Sequence, residues 1–164
     1  MFVTNQFLIQ HMSFDLSKPV AIGSDHAGYE YRVALVQWLT HKGYTVQDVG
    51  VNENKSVDYP DYAHPVAQLV QEGSAAFGIL LCGSANGVCM TANKYPGIRA
   101  GLAFNAEVAR LVRLHNDANI IGIPARFVAL DAAKEMIEIF METAFEGGRH
   151  QARVNKIAQP YAGK

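Results

Sequence analysis

The chain has 164 residues, of which 49% are hydrophobic, and its formal net charge at pH 7 is −1. This length suits one domain with a substantial core, and the balanced charge argues against disorder and against a polybasic surface for nucleic acid. No apolar run approaches the roughly 18 to 20 residues of a membrane span, and the two cysteines, Cys82 and Cys89, do not make a disulfide framework. We therefore expect a cytoplasmic protein with a small-molecule partner, no nucleic acid and no membrane.

Residues 1–18 lack the periodicity of the rest of the chain, and they also lack the basic start and long apolar core of a secretory signal. The dipeptide His11-Met12 is compatible with a junction between a vector-derived leader and a natural start. We expect residues 1–18 to stand outside the fold, and residues 19–164 to form a single domain.

From Pro19 onward, strand-like and helix-like segments alternate. The predicted strands cover residues 20–25, 44–49, 77–81, 98–104 and 120–123. The predicted helices cover residues 29–42, 58–72, 106–114 and 130–145, with a further helix after Gly87 and a short basic helix after Gly147-Gly148. Parallel neighbours need crossover connections, so this alternation predicts an α/β fold, a Rossmann-like three-layer α/β/α sandwich with a five-stranded parallel sheet.

The carboxyl ends of the strands in such a sheet face one crevice. We expect that crevice to collect Asp25, His26, Cys82 and the loops leading toward His115. Cys82 ends a short apolar run, just before the small-residue turn Gly83-Ser84-Ala85-Asn86-Gly87. Oriented amides beside a thiol favour its ionised form, and a thiolate accepts protons well. The alternative is a small buried side chain, the common fate of free cysteines and the one expected for Cys89.

The turn after Cys82 matches neither the dinucleotide fingerprint nor the phosphate-binding P-loop. Its backbone N–H groups are able to face negative charge developing on an oxygen, as in an enediolate. An ordinary tight connection between strand and helix is about as consistent with these residues.

Other polar residues have both functional and structural interpretations. Asp25 is able to cap a helix and His26 to bind an anion or a hydroxyl, while His115 suits either a helix end or general acid–base work. Arg149 and Arg153 are four apart, so on a helix they point the same way and could clamp a phosphate, with Arg126 and His150 adding positive charge. A solvated basic tail is the alternative. No metal-ligand spacing is present, so a reaction without metal or cofactor is expected.

Six motifs in order resemble the ribose-5-phosphate isomerase type B family, which also holds galactose-6-phosphate isomerase subunits. They are G-S-D-H-A-G (23–28), D-Y-P-D-Y-A (58–63), L-C-G-S-A-N-G (81–87), A-N-K-Y-P-G-I-R-A (92–100), H-N-D-A-N (115–119) and G-G-R-H-Q-A-R (147–153). The resemblance runs from about residue 20 to residue 157.

This resemblance implies an aldose–ketose isomerisation between D-ribose 5-phosphate and D-ribulose 5-phosphate through an enediolate. It places Cys82 as the base, Ser84 as an assisting hydroxyl, the amides of residues 83–87 as an anion hole and His115 as the ring-opening residue. The implied sugar contacts are Asp25, Tyr59 and Asn116. The implied phosphate set is Arg149 and Arg153 with His26, Arg126 and His150, partly contributed across a homodimer interface.

Two positions depart from the family pattern: Ala85 replaces a common glycine, and Val88 stands where another branch carries a glutamate base. The second departure leaves Cys82 as the candidate base. The first matters if the position needs a positive φ. The alternatives are an isomerase of another sugar phosphate (allose 6-phosphate, galactose 6-phosphate or a tetrose phosphate) and a non-catalytic sugar-phosphate or nucleotide-binding module.

Overall fold

The computed structural model describes residues 14–160. Five strands form one sheet: β1 (Val20–Ser24), β2 (Val46–Asp48), β3 (Gly78–Cys82), β4 (Ala100–Leu102) and β5 (Ile120–Pro124). Six helices accompany them: α1 (Tyr29–His41), α2 (Pro60–Gln71), α3 (Asn86–Ala92), α4 (Ala106–Asn116), α5 (Leu130–Glu142) and α6 (Arg149–Val154). A short 3-10 turn, His26–Gly28, joins β1 to α1.

All the strands are parallel, in the order β2-β1-β3-β5-β4. Helices α1, α4 and α5 pack on one face of the sheet, and α2 and α3 pack on the other, each over its own apolar cluster. The central strands β1, β3 and β5 are buried along almost their whole length. The predicted three-layer α/β/α sandwich with a five-stranded parallel sheet is therefore confirmed.

The predicted and observed elements differ mainly in length. Strand β4 is three residues long rather than seven, and α5 ends at Glu142 because Thr143 takes an extended backbone. The apolar run around β4 extends beyond its ladder because Ile98 and Ala103 are buried outside the strand. Among residues 14–160, no helix is long and apolar enough to cross a membrane.

The sheet order places a topological switch beside β1, since β2 lies on one side of it and β3 on the other. The chain leaves β1 toward one edge of the sheet and returns on the opposite side. The loops that follow β1 and β3 consequently diverge and leave a crevice at the carboxyl ends of these strands, where open α/β sheets bind ligands.

The start of the described chain packs against the core, although the sequence pattern placed residues 1–18 outside it. The ring of Phe14 lies 4.9 Å from that of Phe77 and 5.5 Å from that of Phe140, measured between centroids. The guanidinium of Arg113 sits 4.4 Å from the centre of the Phe14 ring. The sequence missed these contacts because a lone aromatic in an aperiodic segment carries no pattern. Residues 1–13 lie outside the described residues, and the vector origin of the leader stays a prediction.

We expect Phe14→Ala to lower the free energy of unfolding by about 1–3 kcal/mol, because it removes a partly buried ring from two aromatic neighbours. Urea denaturation measures the change. Phe14→Leu, which keeps most of the apolar area, is the control and should lose less. An unchanged midpoint for Phe14→Ala would show that this segment adds nothing to the stability of the domain.

Candidate active site

A cavity of about 330 Å³ opens at the switch between β1 and β3. Its lining comes from three loops and comprises Asp25, His26, Ala27, Cys82, Gly83, Ser84, Arg126 and Phe127. Asp25, His26 and Ala27 follow β1. Cys82 is the last residue of β3, with Gly83 and Ser84 in the turn after it, and Arg126 and Phe127 follow β5. The structure thus brings together Asp25, His26 and Cys82, as expected from a shared sheet edge.

A short polar contact in this cavity joins Cys82 to Asp25. The thiol Sγ of Cys82 donates to Oδ2 of Asp25 at 2.9 Å, while Oδ1 accepts from the N–H groups of Ala27 and Gly28 at 2.9 and 3.2 Å. Both carboxylate oxygens are therefore engaged, and Asp25 is only 4% exposed. The carboxylate caps the turn after β1 and also orients the thiol at the end of β3.

Gly28 makes this contact possible because the turn after β1 lies directly against β3. A Cβ built on Gly28 would lie 2.7 Å from the backbone carbonyl carbon of Leu81. A side chain at this position would push the turn away from β3, and with it Asp25 from the neighbouring Cys82. Position 28 is therefore glycine because there is no space for a side chain between this turn and β3.

The net environment raises the pKa of the Cys82 thiol. Burial is the main cause, followed by the hydrogen bond to Asp25 and the charge of that carboxylate; the amides of Ala85 and Gly83 act in the opposite direction. The expectation that the turn makes the thiol easier to ionise is wrong in net terms, because it considered the amides but not burial or Asp25. Cys82 is consequently a thiol at neutral pH in the unliganded protein.

The turn after β3 depends on an unusual backbone conformation at Ala85. This residue is fully buried and has φ of 59°, in the left-handed region, just before α3 begins at Asn86. A non-glycine residue there costs roughly 1–2 kcal/mol. Glycine would adopt this positive φ without strain, and this chain holds the conformation with alanine. The amide of Ala85 remains directed at the sulfur of Cys82.

Tyr59 lies over the far end of this turn. A Cβ built on Gly87 would be 2.5 Å from Cζ of the Tyr59 ring, so the ring rests on the backbone of Gly87. Tyr59 is 40% exposed and stands just before α2. Of the other sequence-predicted residues, Ser84 lines both the cavity and an adjoining groove, and Asn86 lines that groove.

Two basic side chains complete the cavity wall. Nδ1 of His26 accepts from the N–H of Val57 at 3.4 Å, an arrangement that leaves the ring hydrogen on Nε2. The backbone N–H of Arg126 donates to the carbonyl of Gly83 at 3.2 Å, which holds Arg126 against the turn. A cation and an N–H donor therefore face the cavity, as an anionic ligand requires.

The remaining predicted site residues lie elsewhere in the chain: within residues 14–160, none of His115, Asn116, Arg149, His150 and Arg153 lines the cavity. His115 and Asn116 end α4, which leads into the amino end of β5, and helices in such a sheet run opposite to the strands. These residues therefore lie toward the sheet edge opposite to Cys82, and the strand from Gly78 to Cys82 alone spans about 13 Å. The expectation that one crevice includes the loops toward His115 is wrong within a single chain.

His115 and His150 form a separate cluster with Glu146. The rings of His115 and His150 are stacked at 4.3 Å, and Glu146 reaches the edges of both. Asn116 lines a separate cavity of about 390 Å³ with Arg99 and Ile157. Arg149 and Arg153 are exposed on α6, as the four-residue spacing predicts for a basic face.

Sequence reasoning missed Glu146. Glu146 lies between the end of α5 at Glu142 and the start of α6 at Arg149, so no helical periodicity marked it in the sequence. The ligand atoms of Glu146, His115 and His150 lie within 4.8 Å of one another, as a metal site would require. The two rings are parallel to within 8°, however, so their nitrogen lone pairs do not converge on one point as a tetrahedral site demands. The described residues therefore fit a metal poorly at this place.

The fold and the cavity define a class of protein: an α/β sandwich with a thiol, a carboxylate and anion-binding groups at its switch point. A profile of the ribose/galactose isomerase family matches residues 20–157. The chain belongs to this family.

Named relatives span nearly the same length. The probable ribose-5-phosphate isomerase B of Mycoplasma pneumoniae is 41% identical over 143 residues, covering 87% of this chain and 94% of the relative. The ribose-5-phosphate isomerase B of Escherichia coli K12 is 39% identical over 140 residues, covering 85% and 94%.

Solved structures agree in fold. The ribose 5-phosphate isomerase of Thermotoga maritima superposes with a TM-score of 0.85 at 43% identity, covering 87% of this chain and 99% of that one. A ribose-5-phosphate isomerase B from Mycoplasma genitalium, solved with bound ribulose-5-phosphate, has a TM-score of 0.84 at 38% identity, covering 88% and 97%.

We expect Asp25→Asn to lower the pKa of Cys82, because it removes the charge and the strong acceptor that favour the thiol form. The pH dependence of iodoacetamide alkylation, followed by mass spectrometry in a Cys89→Ala background, measures this shift. In the unaltered chain Cys82 should react only at pH values above those of an ordinary cysteine. In a separate measurement on the chain that keeps Cys89, this buried thiol, with its pKa raised to about 12, should stay unmodified. An Asp25→Asn midpoint equal to or above the parent's would contradict this account.

Proposed function

We propose that this chain interconverts D-ribose 5-phosphate and D-ribulose 5-phosphate, with Cys82 transferring a proton between C2 and C1 of the open-chain sugar. The observation that carries the proposal is the thiol of Cys82 held 2.9 Å from Asp25 beside the amides of Gly83 and Ala85. The relatives named as ribose-5-phosphate isomerases, and the one solved with ribulose-5-phosphate, support this choice of substrate.

Asp25 supplies a route to the thiolate. When the sulfur proton passes to Oδ2, a thiol and a carboxylate become a thiolate and a carboxylic acid, so the net charge of the buried pair does not change. A thiolate with a raised pKa is also a stronger base toward a weakly acidic carbon. Asp25 is thus both the acceptor of the thiol proton and, through Oδ1, part of the turn that holds it.

Removal of the C2 proton places negative charge on the sugar oxygen, and hydrogen-bond donors must stabilise that charge. The thiolate removes the proton from C2, the electron pair moves onto the carbonyl oxygen at C1, and the enediolate forms. The amides of the turn, residues 83–87, stabilise this oxygen as its charge grows, and Ser84 assists beside them. Return of the proton to C1, with transfer of the C2 hydroxyl hydrogen to O1, yields the ketose. No oxidant or reductant is needed.

Removal of the thiol should stop the proton transfer without unfolding the protein. We expect Cys82→Ala to reduce kcat by about 10²–10⁴-fold, the usual contribution of a general base. A coupled assay with ribose 5-phosphate measures the loss, and inhibition by inorganic phosphate monitors retained anion binding. Cys89→Ala is the matched control and should keep most of the activity. Retained turnover in Cys82→Ala would reject this role.

The active site is shared between two copies of the chain in our proposal. The cavity holds the base but lacks His115, Asn116, Arg149 and Arg153, which lie toward the opposite sheet edge. An apolar groove lined by Leu102, Phe104, Pro124 and Phe127 adjoins the cavity, and Phe127 is 75% exposed. A second copy seated on this groove would cover the aromatic rings and bring its own arginines to the phosphate. The two free thiols suit a reducing, cytoplasmic setting.

Subunit mixing tests this arrangement directly. Cys82→Ala and Arg149→Ala chains should each be nearly inactive at low substrate concentration. After the two are unfolded and refolded together in equal amounts, about a quarter of the parent activity should return, because half of the dimers are mixed and each has one intact site. Each variant refolded alone is the control. A mixture that stays inactive would show that the two residues act within one chain.

A further inference from the structure

Three side chains meet where the segment after α5 returns to the end of α4. The rings of His115 and His150 are stacked, with centroids 4.3 Å apart and planes within 8°. Oε2 of Glu146 lies 3.2 Å from Nε2 of His150 and 3.7 Å from Nε2 of His115. One carboxylate oxygen therefore faces the same edge of both rings.

The backbone is shaped to build this cluster. The N–H of Glu146 donates to the carbonyl of Leu114 at 2.9 Å, which ties the segment to the last turn of α4. Gly147 and Gly148 follow with φ of 69° and 53°, and a Cβ on either would meet nothing within 4 Å. Glycine is needed here for the left-handed turn rather than for space. The double turn then starts α6 and returns His150 to the ring of His115.

We propose that Glu146 and His150 are positioning residues that fix the ring plane and the tautomer of His115. This inference rests on the proposed function, in which His115 of one subunit opens the sugar ring. A neutral imidazole that exchanges protons must keep hydrogen on one nitrogen and a lone pair on the other. The carboxylate of Glu146 is 3.7 Å from Nε2 of His115, too far for a hydrogen bond, but its negative charge favours hydrogen at that nitrogen. Nδ1 then carries the lone pair that works on the sugar.

His150 holds the plane of the His115 ring by stacking against it as an uncharged ring. It is 6% exposed, and its Nε2 lies between Nε of Arg149 at 3.3 Å and Oε2 of Glu146 at 3.2 Å. Burial first, then the neighbouring His115 and Arg149, lower the pKa of His150 against the opposing effect of Glu146. A neutral ring remains stacked when His115 gains a proton, whereas two imidazolium rings would repel each other. The other charged groups nearby are Arg153 on α6 and Glu107 on α4.

This arrangement gives His150 a different role from its neighbours in the chain. Its ring is buried and stacked against that of His115, and Arg149 and Glu146 already contact its Nε2, which leaves little of it to touch a ligand. Arg149 and Arg153 are exposed on the same helix. The phosphate then belongs to the two arginines, and His150 acts through His115.

The two directions of the reaction separate ring opening from proton transfer at carbon. Ribose 5-phosphate is mainly a closed furanose, whereas ribulose 5-phosphate has its O5 esterified and cannot close a five-membered ring. Incorporation of solvent deuterium at C1 of the ketose, followed by NMR, therefore measures enolisation alone. Turnover of the aldose measures both steps.

We expect Glu146→Gln and His150→Ala to lower kcat for ribose 5-phosphate by about 10–100-fold, as is usual for partners that orient a working histidine. Deuterium incorporation into the ketose should stay within about twofold of the parent. His150→Phe keeps a stacked ring and should recover part of the loss seen with His150→Ala. Glu142→Gln, an exposed carboxylate four residues before Glu146, is the control and should match the parent. Nitrogen-15 NMR of His115 should show mixed tautomers in Glu146→Gln.

Two results would overturn the inference. One is an equal loss of aldose turnover and ketose exchange, and the other is no loss of either. If His150 binds phosphate instead, His150→Phe and Arg149→Ala would both weaken inhibition by inorganic phosphate. If the unaltered chain exchanges no deuterium into the ketose, both the proposed function and this inference are wrong. If Cys82→Ala loses both aldose turnover and ketose exchange, the proposed function is supported whatever the result for Glu146.

Discussion

The close approach of the turn after β1 to the end of β3 is the constraint on which the active site depends. Gly28 lies against the backbone of Leu81, and this brings Asp25 within 2.9 Å of the Cys82 sulfur. The contact joins residues 57 positions apart, across the point where the sheet changes direction. A single hydrogen bond thereby connects the switch point of the fold to the group proposed to move the proton.

Opposing electrostatic influences act on that sulfur. The buried position and the Asp25 carboxylate favour the thiol, while the amides of Gly83 and Ala85 favour the thiolate. The thiol form prevails without ligand, which protects the group from unwanted reaction because the thiolate is the nucleophile. In the proposed reaction, the same amides would stabilise the charge that develops on the substrate oxygen. The left-handed backbone at Ala85 keeps these amides pointed inward. Packing of the buried turn offsets the conformational free energy that this backbone costs.

The direction of the helices explains why one chain holds two separate groups of predicted site residues. The loops after β1, β3 and β5 reach the carboxyl edge of the sheet, whereas the ends of the helices lie at the amino edge. His115 ends such a helix, and Glu146, His150 and the arginines of α6 gather around it. A dimer that places the amino edge of one chain beside the carboxyl edge of another would unite a base with a phosphate clamp. The Glu146–His150 pair then extends the proposed site beyond the residues that touch the sugar.

The sequence by itself determined the parallel sandwich, since buried strands alternating with helices have few other ways to hide their apolar faces. It also identified Cys82, Asp25 and His26 as neighbours, because residues that end parallel strands share an edge. Only the tertiary structure decided the packing of Phe14, the raised pKa of Cys82, the separation of His115 from the cavity and the position of Glu146 beside His115 and His150. These depend on burial, on helix direction and on distances between segments remote in the chain, and local residue patterns carry none of the three.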